Sequence, residues 1–161
     1  MALSKIPSAG FQDNVKFRNI IINGDMSIAQ RGTSSSGITS DGIYTVDRIR
    51  TGIATAGTWT QSQSTDVPSG QGFSNSLKMD CTTANASLSA GSALLLHHRI
   101  EGQNVQYLKY GTSSAESLTL SFWVKSNKTG TYIIELDQDG NSRDYSQSYT
   151  INSADTWEKK I

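Results

Sequence analysis

The chain of 161 residues has one cysteine, two prolines and no long charged or apolar run. A single thiol, Cys81, cannot form an internal disulfide, so packing or association with other chains must stabilise the fold. We expect Cys81 itself to be a small buried residue. No stretch approaches the roughly 20 apolar residues of a membrane span, and residues 1–10 lack the apolar segment of a signal peptide. We therefore expect synthesis in a cytoplasm and no membrane insertion.

The charge balance argues against a nucleic-acid partner. Fourteen basic and fourteen acidic side chains give a formal net charge of zero, so the attraction that nucleic-acid phosphates or anionic membranes require is missing. Charged residues make up 17% of the chain and hydrophobic residues 35%, while 24 Ser and 16 Thr supply a quarter of it. This composition lacks the charge excess typical of disorder, and it predicts a folded domain.

The residue types predict an all-β fold. Thr, Val, Ile and aromatic residues outnumber strong helix formers. Apolar and polar side chains alternate, or apolar residues form short runs, in segments that we predict to be strands; these are residues 17–22, 44–50, 58–64, 75–81, 118–126, 131–136 and 143–151. Three segments between or beside them have turn composition; these are 23–25, 127–130 and 137–141.

Residues 84–110 are the least β-like part of the sequence. Two short apolar stretches there leave two interpretations each. Residues 94–101 are either an extended segment, which the flanking Gly91 and Gly102 favour, or a helical turn. Residues 103–108 are either one or two helical turns or a surface loop.

Residues 1–16 predict an extended N-terminal arm. Their apolar residues are spaced neither as in a strand nor as in a helix, and Pro7 and Gly10 interrupt them. Such an arm can order against a partner, and the candidate anchors are Leu3, Ile6, Phe11 and Val15. The alternative is a frayed N-terminus. Residues 17–161 then form one β-sandwich. A strand that begins at Trp157 stops with the sequence, so we expect the sandwich to lack its last strands, which further polypeptide or a partner chain would supply.

Two parts of the sequence resemble known proteins. Residues 18–33, RNIIINGDMSIAQRGT, followed by residues 44–48, YTVDR, resemble the pattern N-x-x-I-N-G-x-M-x-x-x-Q-R-G-T … Y-x-x-D-R, which opens many bacteriophage tail-fibre and virion structural proteins. Residues 76–79, 118–126 and 155–159 are similar in strand order to carbohydrate-binding-module-like jelly rolls. Together the two resemblances span residues 17–161.

The resemblance implies a virion structural protein without enzymatic activity. It implies a jelly-roll tail fibre, assembled as a homotrimer, located in the tail of the virion and contributing to host attachment. Its arm would insert into another virion protein, such as a tail adaptor or nozzle protein or a neighbouring structural protein. Three alternatives remain open: a carbohydrate-binding module for cell-surface glycan, a head decoration or capsid fibre protein, and a glycan-degrading enzyme.

No motif predicts a metal site, a cofactor or a catalytic group. His97 and His98 are neighbours, and neighbours in a strand point to opposite faces, so they cannot both ligate one metal unless the strand bends. The segment 137–141 has part of a calcium-loop pattern but lacks the closing Glu, which favours a hairpin turn. The sequence has no G-x-S-x-G pattern around a serine nucleophile. We interpret Asp47 and Arg48 as a polar pair that fixes the start of the sandwich.

Sugar recognition needs flat aromatic faces beside hydrogen-bonding groups. Trp123 fits best, because the strand alternation places it on one face with Thr119, Ser121 and Lys125. The weaker candidates are Trp59, Tyr107, Tyr110 and Tyr145. The alternative is that Trp123 packs under a loop or against a neighbouring subunit.

Overall fold

The computed structural model describes residues 19–138 and 143–161, and this part of the chain is all-β. It contains nine strands, and every pairing between them is antiparallel. The strands are β1 (Ser34–Ile38), β2 (Ile49–Ala54), β3 (Thr58–Ser64), β4 (Ser76–Thr83), β5 (Ala93–His98), β6 (Phe122–Val124), β7 (Gly130–Gln138), β8 (Arg143–Ile151) and β9 (Glu158–Lys160). The predicted fold class is confirmed, whereas the jelly-roll strand order stays a prediction.

Some predicted features lie outside the described residues. These are the arm 1–16 with its anchors Leu3, Ile6, Phe11 and Val15, the first residues of the strand predicted at 17–22, and residues 139–141 of the calcium-like turn. The rest groups into two compact units, the first containing residues up to Asp66 and Phe73–Ala115, the second Val67–Gly72 and Glu116–Ile161. A single sandwich over residues 17–161 stays a prediction.

The first unit contains two sheets. One has the order β1-β3-β4 and the other pairs β2 with β5. The side chain of Gln61 connects them, because its Nε2 donates to Oγ1 of Thr51 on β2 at 2.7 Å. Its Oε1 accepts from the backbone N–H of Thr45 at 3.0 Å and from the Thr45 hydroxyl at 2.8 Å. All three residues are fully buried, so a satisfied polar network crosses the space between the two sheets.

Apolar residues of the first unit pack around this network. Ile38 from β1, Ile49 and Ile53 from β2 and Val46 from the preceding segment are all buried. Ile49, Thr51 and Ile53 alternate along β2, which places them on one face of the strand, toward Gln61. Strand alternation thus explains which face of β2 is turned toward the three-stranded sheet.

Several strand predictions are confirmed in this unit. The strand predicted at 58–64 coincides with β3, that at 75–81 overlaps β4, and the extended interpretation of 94–101 corresponds to β5. Residues 103–108 form two 3-10 turns, Gly102–Asn104 and Gln106–Leu108, as the helical-turn interpretation predicted.

The strand predicted at 44–50 is wrong over most of its length, because β2 begins only at Ile49. The backbone N–H of Thr45 binds the side chain of Gln61, and that of Asp47 donates to the carbonyl of Ile28 at 2.9 Å. Arg48 adopts a φ of 73°, which no regular strand allows. These bonds and this dihedral angle hold the segment in an irregular conformation.

Cys81 is exposed, so the prediction that it is buried is wrong. Cys81 lies in β4 and pairs with Trp59 of the neighbouring strand β3. It shares its face of β4 with Leu77 and Met79, which are half-buried. The side of the strand was predicted correctly. However, Cys81 lies toward the end of β4, where little covers that face.

The second unit contains two two-stranded sheets, β6-β9 and β7-β8. The hairpin of β7 and β8 pairs from Gly130 with Ile151 to Gln138 with Arg143. Near its base the ring of Tyr149 stacks on Tyr132 at 5.7 Å and meets Phe122 of β6 edge to face at 5.2 Å. Ile151 is 1% exposed. These side chains form the core of the second unit.

The strand predicted at 118–126 is reduced to the three residues of β6. The antiparallel partner β9 offers only three residue pairs, so the flanking backbone has no ladder to join. Leu118 is accordingly 49% exposed although its alternation suggested an inward position. A carboxylate organises the turn before β9, since Glu158 accepts from the backbone N–H groups of Asn152 and Ser153, each at 2.9 Å.

Candidate functional site

The described residues begin with a polar turn rather than a strand. The side chain of Asn19 accepts from the N–H of Ile21 at 3.0 Å, and the carbonyl of Asn23 accepts from the N–H of Met26 at 3.0 Å. Asn23 adopts a left-handed φ of 58°, which asparagine tolerates better than most residues. The predicted turn at 23–25 is confirmed. The strand predicted at 17–22 is wrong for Asn19–Ile22, because side chains bind these backbone groups.

The amide of Asn23 joins two distant pieces of the chain. Its Nδ2 donates to the carbonyls of Ile28 and Asp47, both at 2.9 Å, and its Oδ1 accepts from the N–H of Ile28 at 2.9 Å. Two donors and one acceptor of a single side chain are thereby satisfied, so Asn23 fixes the segment 19–31 to the approach of β2. We call the segment 19–31, with the side chains that hold it, the docked segment.

Gln63 holds the docked segment from β3. Its Nε2 donates to the carbonyl of Met26 at 2.6 Å and to that of Ser27 at 3.1 Å. In addition, the backbone N–H of Gln63 donates to the carbonyl of Thr33 at 2.9 Å. Sequence reasoning missed Gln63, because a glutamine in a polar strand carries no local signal of a partner 37 residues away.

Asp47 and Arg48 do not form the predicted pair, and each binds a different partner. Oδ1 of Asp47 accepts from the N–H of Gln30 at 3.3 Å and lies 3.5 Å from Nη1 of Arg31. Arg48 binds Glu101 through two nitrogen–oxygen contacts of 2.7 and 2.9 Å and donates to the carbonyl of Arg99 at 3.0 Å. The left-handed backbone of Arg48 turns the two neighbours toward different elements.

His98 holds the docked segment from β5. Its Nε2 accepts from the N–H of Ile22 at 3.3 Å, which leaves the ring proton of the neutral imidazole on Nδ1. Nδ1 of His98 and Nε of Arg48 are both buried and have no hydrogen-bond partner. Protonation of the ring would add a second positive charge in a partly buried position beside the guanidinium of Arg48, so burial and this charge disfavour the imidazolium.

Three pKa shifts follow from this arrangement. The bidentate contact with Arg48 lowers the pKa of Glu101 to about 2, and the same contact raises the pKa of Arg48. Burial, followed by the positive charge of Arg48, lowers the pKa of His98. The imidazole is therefore neutral at pH 7, as its role as acceptor for Ile22 requires.

The five candidate sugar-binding residues are divided between the two units. In the first unit, Trp59 is half-buried on β3 and its indole N–H donates to the carbonyl of Ala56 at 2.9 Å, Tyr107 is half-buried in the second 3-10 turn, and Tyr110 is 57% exposed. In the second unit, Trp123 is half-buried on β6 and Tyr145 is 61% exposed on β8. None of the five takes part in the ring contacts between described residues.

Over residues 19–138 and 143–161, no group of three or more His, Cys, Asp or Glu residues could hold a metal ion. His97 and His98 pair with Arg50 and Ile49 respectively, and as neighbours in β5 they point to opposite faces. No helix found in the same residues has the length and apolar character of a membrane span.

Comparison of the chain with protein-family models, with curated proteins and with solved structures found no match.

Proposed function

We propose that this chain is a structural protein of a bacteriophage particle, a tail fibre that is attached to the tail through its N-terminal part and contributes to host-surface recognition. The observation that carries the proposal is the docked segment. Its backbone is bound by side chains from β3, from β5 and from within the segment, namely Gln63, His98 and Asn23. The docked segment lies within residues 18–33, which resemble the opening of virion proteins, and one of its three holding side chains, Asn23, belongs to them.

A fibre mounted through its N-terminal part needs such a junction. Force and orientation pass from the attachment point to the receptor-binding part through the first residues of the folded domain. Hydrogen bonds to separate strands spread that load, because the segment cannot be pulled away without breaking several of them together. The docked segment begins three residues after the last residue of the arm, so it is in the position where this load would enter.

The arm supplies the attachment in this proposal. Leu3, Ile6, Phe11 and Val15 would enter apolar sites on another virion protein, a tail adaptor or nozzle protein or a neighbouring structural protein. Full burial of such a side chain contributes about 1.5 to 3 kcal/mol. The homotrimeric state rests on the resemblance alone, and analytical ultracentrifugation of the full chain tests it.

A role of the chain as a carbohydrate-binding module is the second candidate. It is favoured by the exposed phenol rings of Tyr110 and Tyr145, which are 57% and 61% exposed. Large exposed aromatic rings provide the apolar faces on which sugar rings stack. The two candidates differ in location, because a free glycan-binding module does not need to be part of a particle.

Antibody-labelled particles of the phage that encodes the chain test the proposal by electron microscopy. Label on the tail is the expected result. Label on the head would contradict the tail-fibre proposal and indicate a head decoration or capsid fibre protein. A chain lacking residues 1–16 should keep its circular-dichroism spectrum and unfolding midpoint but be absent from the particles. Incorporation of this variant at the normal level would contradict attachment through the arm.

A further inference from the structure

The sheet β2-β5 has a depression of about 410 Å³ on the face turned away from the three-stranded sheet. On this face three cross-strand pairs succeed one another: Arg50 with His97, Gly52 with Leu95, and Ala54 with Ala93. Three of the six residues are Gly or Ala, so the floor of the depression lies close to the backbone of the sheet. The longer side chains form its walls. The volume lies in the range of small-molecule sites, roughly 300 to 1,000 Å³.

A carboxylate is held at the edge of the depression. Oδ1 of Asp41 accepts from the N–H of Ile53 at 2.8 Å, and its Oδ2 accepts from Nη2 of Arg50 at 2.9 Å. The next residue, Gly42, is bridged to Thr51 by two backbone hydrogen bonds of 3.0 and 2.8 Å, which fix the position of Asp41. The side chains of Arg50 and Asp41 remain 40% and 48% exposed, so both have unused donors and acceptors.

Gly52 keeps the depression open. A Cβ atom at this position would lie 2.9 Å from Nε2 of His97 and 3.6 Å from Cβ of Leu95. The imidazole therefore lies across the glycine and presents a further hydrogen-bonding group to the same space. Gly52 has no left-handed φ, so the backbone does not require glycine there.

The charges of the walls favour a neutral ligand. Asp41 and Arg50 form an ion pair, so their charges cancel while their polar atoms stay available. Leu95, Ala54 and Ala93 add an apolar surface beside them. A hexopyranose ring has this combination, since its C–H groups form apolar patches and its hydroxyls both donate and accept.

We propose that the depression around Gly52 binds a neutral hexopyranose unit of a surface glycan, with sugar hydroxyls on Asp41, Arg50 and His97 and the C–H face of the ring on Leu95. This inference rests on the proposed function, in which the chain contacts the host surface. It adds a site that is separate from the five aromatic candidates.

Titration of the full chain with the methyl glycosides of glucose, galactose and mannose, followed by NMR, tests this site. At least one glycoside should shift the resonances of residues on the Gly52 face of β2 and β5. Gly52→Val, which fills the depression, and Asp41→Asn, which keeps an acceptor for Ile53 but loses the ion pair, should each weaken binding by at least about tenfold. Gly91→Ala is the control, because a Cβ there meets nothing within 4 Å and its φ is ordinary.

Three results would overturn the inference: no shift on this face with any of the glycosides, equal affinity of the Gly52→Val variant, or preference for the anionic N-acetylneuraminate. Its failure is distinct from failure of the fibre proposal. If the label lies on the tail but Gly52→Val binds host cells as well as the parent chain does, only the sugar site in the depression is rejected. If Gly52→Val loses sugar binding but no label is found on particles, only the proposal of a tail fibre is rejected.

Discussion

The backbone N–H of Ile22 donates a hydrogen bond of 3.3 Å to Nε2 of His98, which lies 76 residues further along the chain. This bond connects the start of the docked segment to β5. Since a protonated nitrogen cannot accept, the bond exists only while the imidazole is neutral. Burial and the charge of Arg48 lower the pKa of His98 and thereby preserve the bond at neutral pH.

We predict that acidification through the ordinary titration range of histidine destabilises the chain. The pKa of His98 is lower in the folded chain than its ordinary value of 6.5, so the unfolded chain binds the proton more tightly. The free energy of unfolding is therefore highest above that value and falls as the pH decreases through it, until the folded ring is protonated. Urea unfolding at several values between about pH 5 and 8 measures this decline.

A non-titrating acceptor at position 98 should remove this part of the pH dependence. His98→Gln presents an amide oxygen to Ile22 and carries no proton to exchange, so its unfolding free energy should change less over the same range. His97→Gln is the matched control on the opposite face of β5. Equal flattening of the curve in both variants would show that His98 is not the group responsible.

Asn23→Asp should destabilise the first unit by about 2 kcal/mol or more. Aspartate keeps the shape of the side chain and tolerates the left-handed backbone, but it replaces the Nδ2 donor with an oxygen that faces the carbonyls of Ile28 and Asp47. The midpoint of urea unfolding measures the loss. Asn127→Asp makes the same change in charge at an exposed position, and a similar midpoint for the two variants would contradict the role of Asn23.

The sequence predicted strands well where the backbone bonds run between strands. Alternation sufficed for β3, β4 and β8, whose residues pair over long ladders. It failed at Ile22 and Thr45, where the partners of the backbone N–H groups are the side chains of His98 and Gln61. Periodicity predicts which face of a strand a side chain occupies. It does not predict a hydrogen bond from a side chain that is distant in the sequence.

The site was only partly predictable for the same reason. The family resemblance drew attention to Asn23, Asp47 and Arg48, yet their partners could not be read from local spacing. Arg48 binds Glu101, 53 residues away, instead of its neighbour. The depression on β2-β5 also had no sequence signal, because it depends on small residues of two strands being paired across the sheet.

Gln61→Leu should cost about 1 to 3 kcal/mol for each buried polar group that it leaves unpaired. Leucine has a similar size, but it offers no acceptor to the N–H of Thr45 and no donor to Oγ1 of Thr51. Urea unfolding of this variant measures the loss. The control is Gln147→Leu, at an exposed position of β8. A Gln61→Leu variant as stable as the parent chain would mean that the two sheets are held by apolar packing alone.

Two carboxylates should govern unfolding at lower pH. Arg48 lowers the pKa of Glu101 to about 2, and Lys160 together with two backbone N–H groups lowers that of Glu158 to about 2. Both values lie below the ordinary 4.5, so the stability that these carboxylates supply is present above that value and is lost as the pH falls toward 2. Glu101→Gln and Glu158→Gln should each reduce the acid dependence of the unfolding midpoint. The same reduction in Glu135→Gln, on exposed β7, would contradict this assignment.

Truncation of two tyrosines on one face of β8 should change the free energy of unfolding by very different amounts. Tyr149 stacks on Tyr132 and meets Phe122 edge to face, so Tyr149→Ala should cost about 3 kcal/mol or more of unfolding free energy. Tyr145, four residues earlier, is 61% exposed beside Leu136, and Tyr145→Ala should change stability by less than about 0.5 kcal/mol. If Tyr145 is a sugar platform, the second variant, folded as well as the parent chain, should also bind fewer host cells in a sedimentation assay. If Tyr145→Ala binds cells as well as the parent chain does, Tyr145 is not part of the receptor-binding surface. If the variant loses much stability, the ring of Tyr145 packs in the core of the second unit.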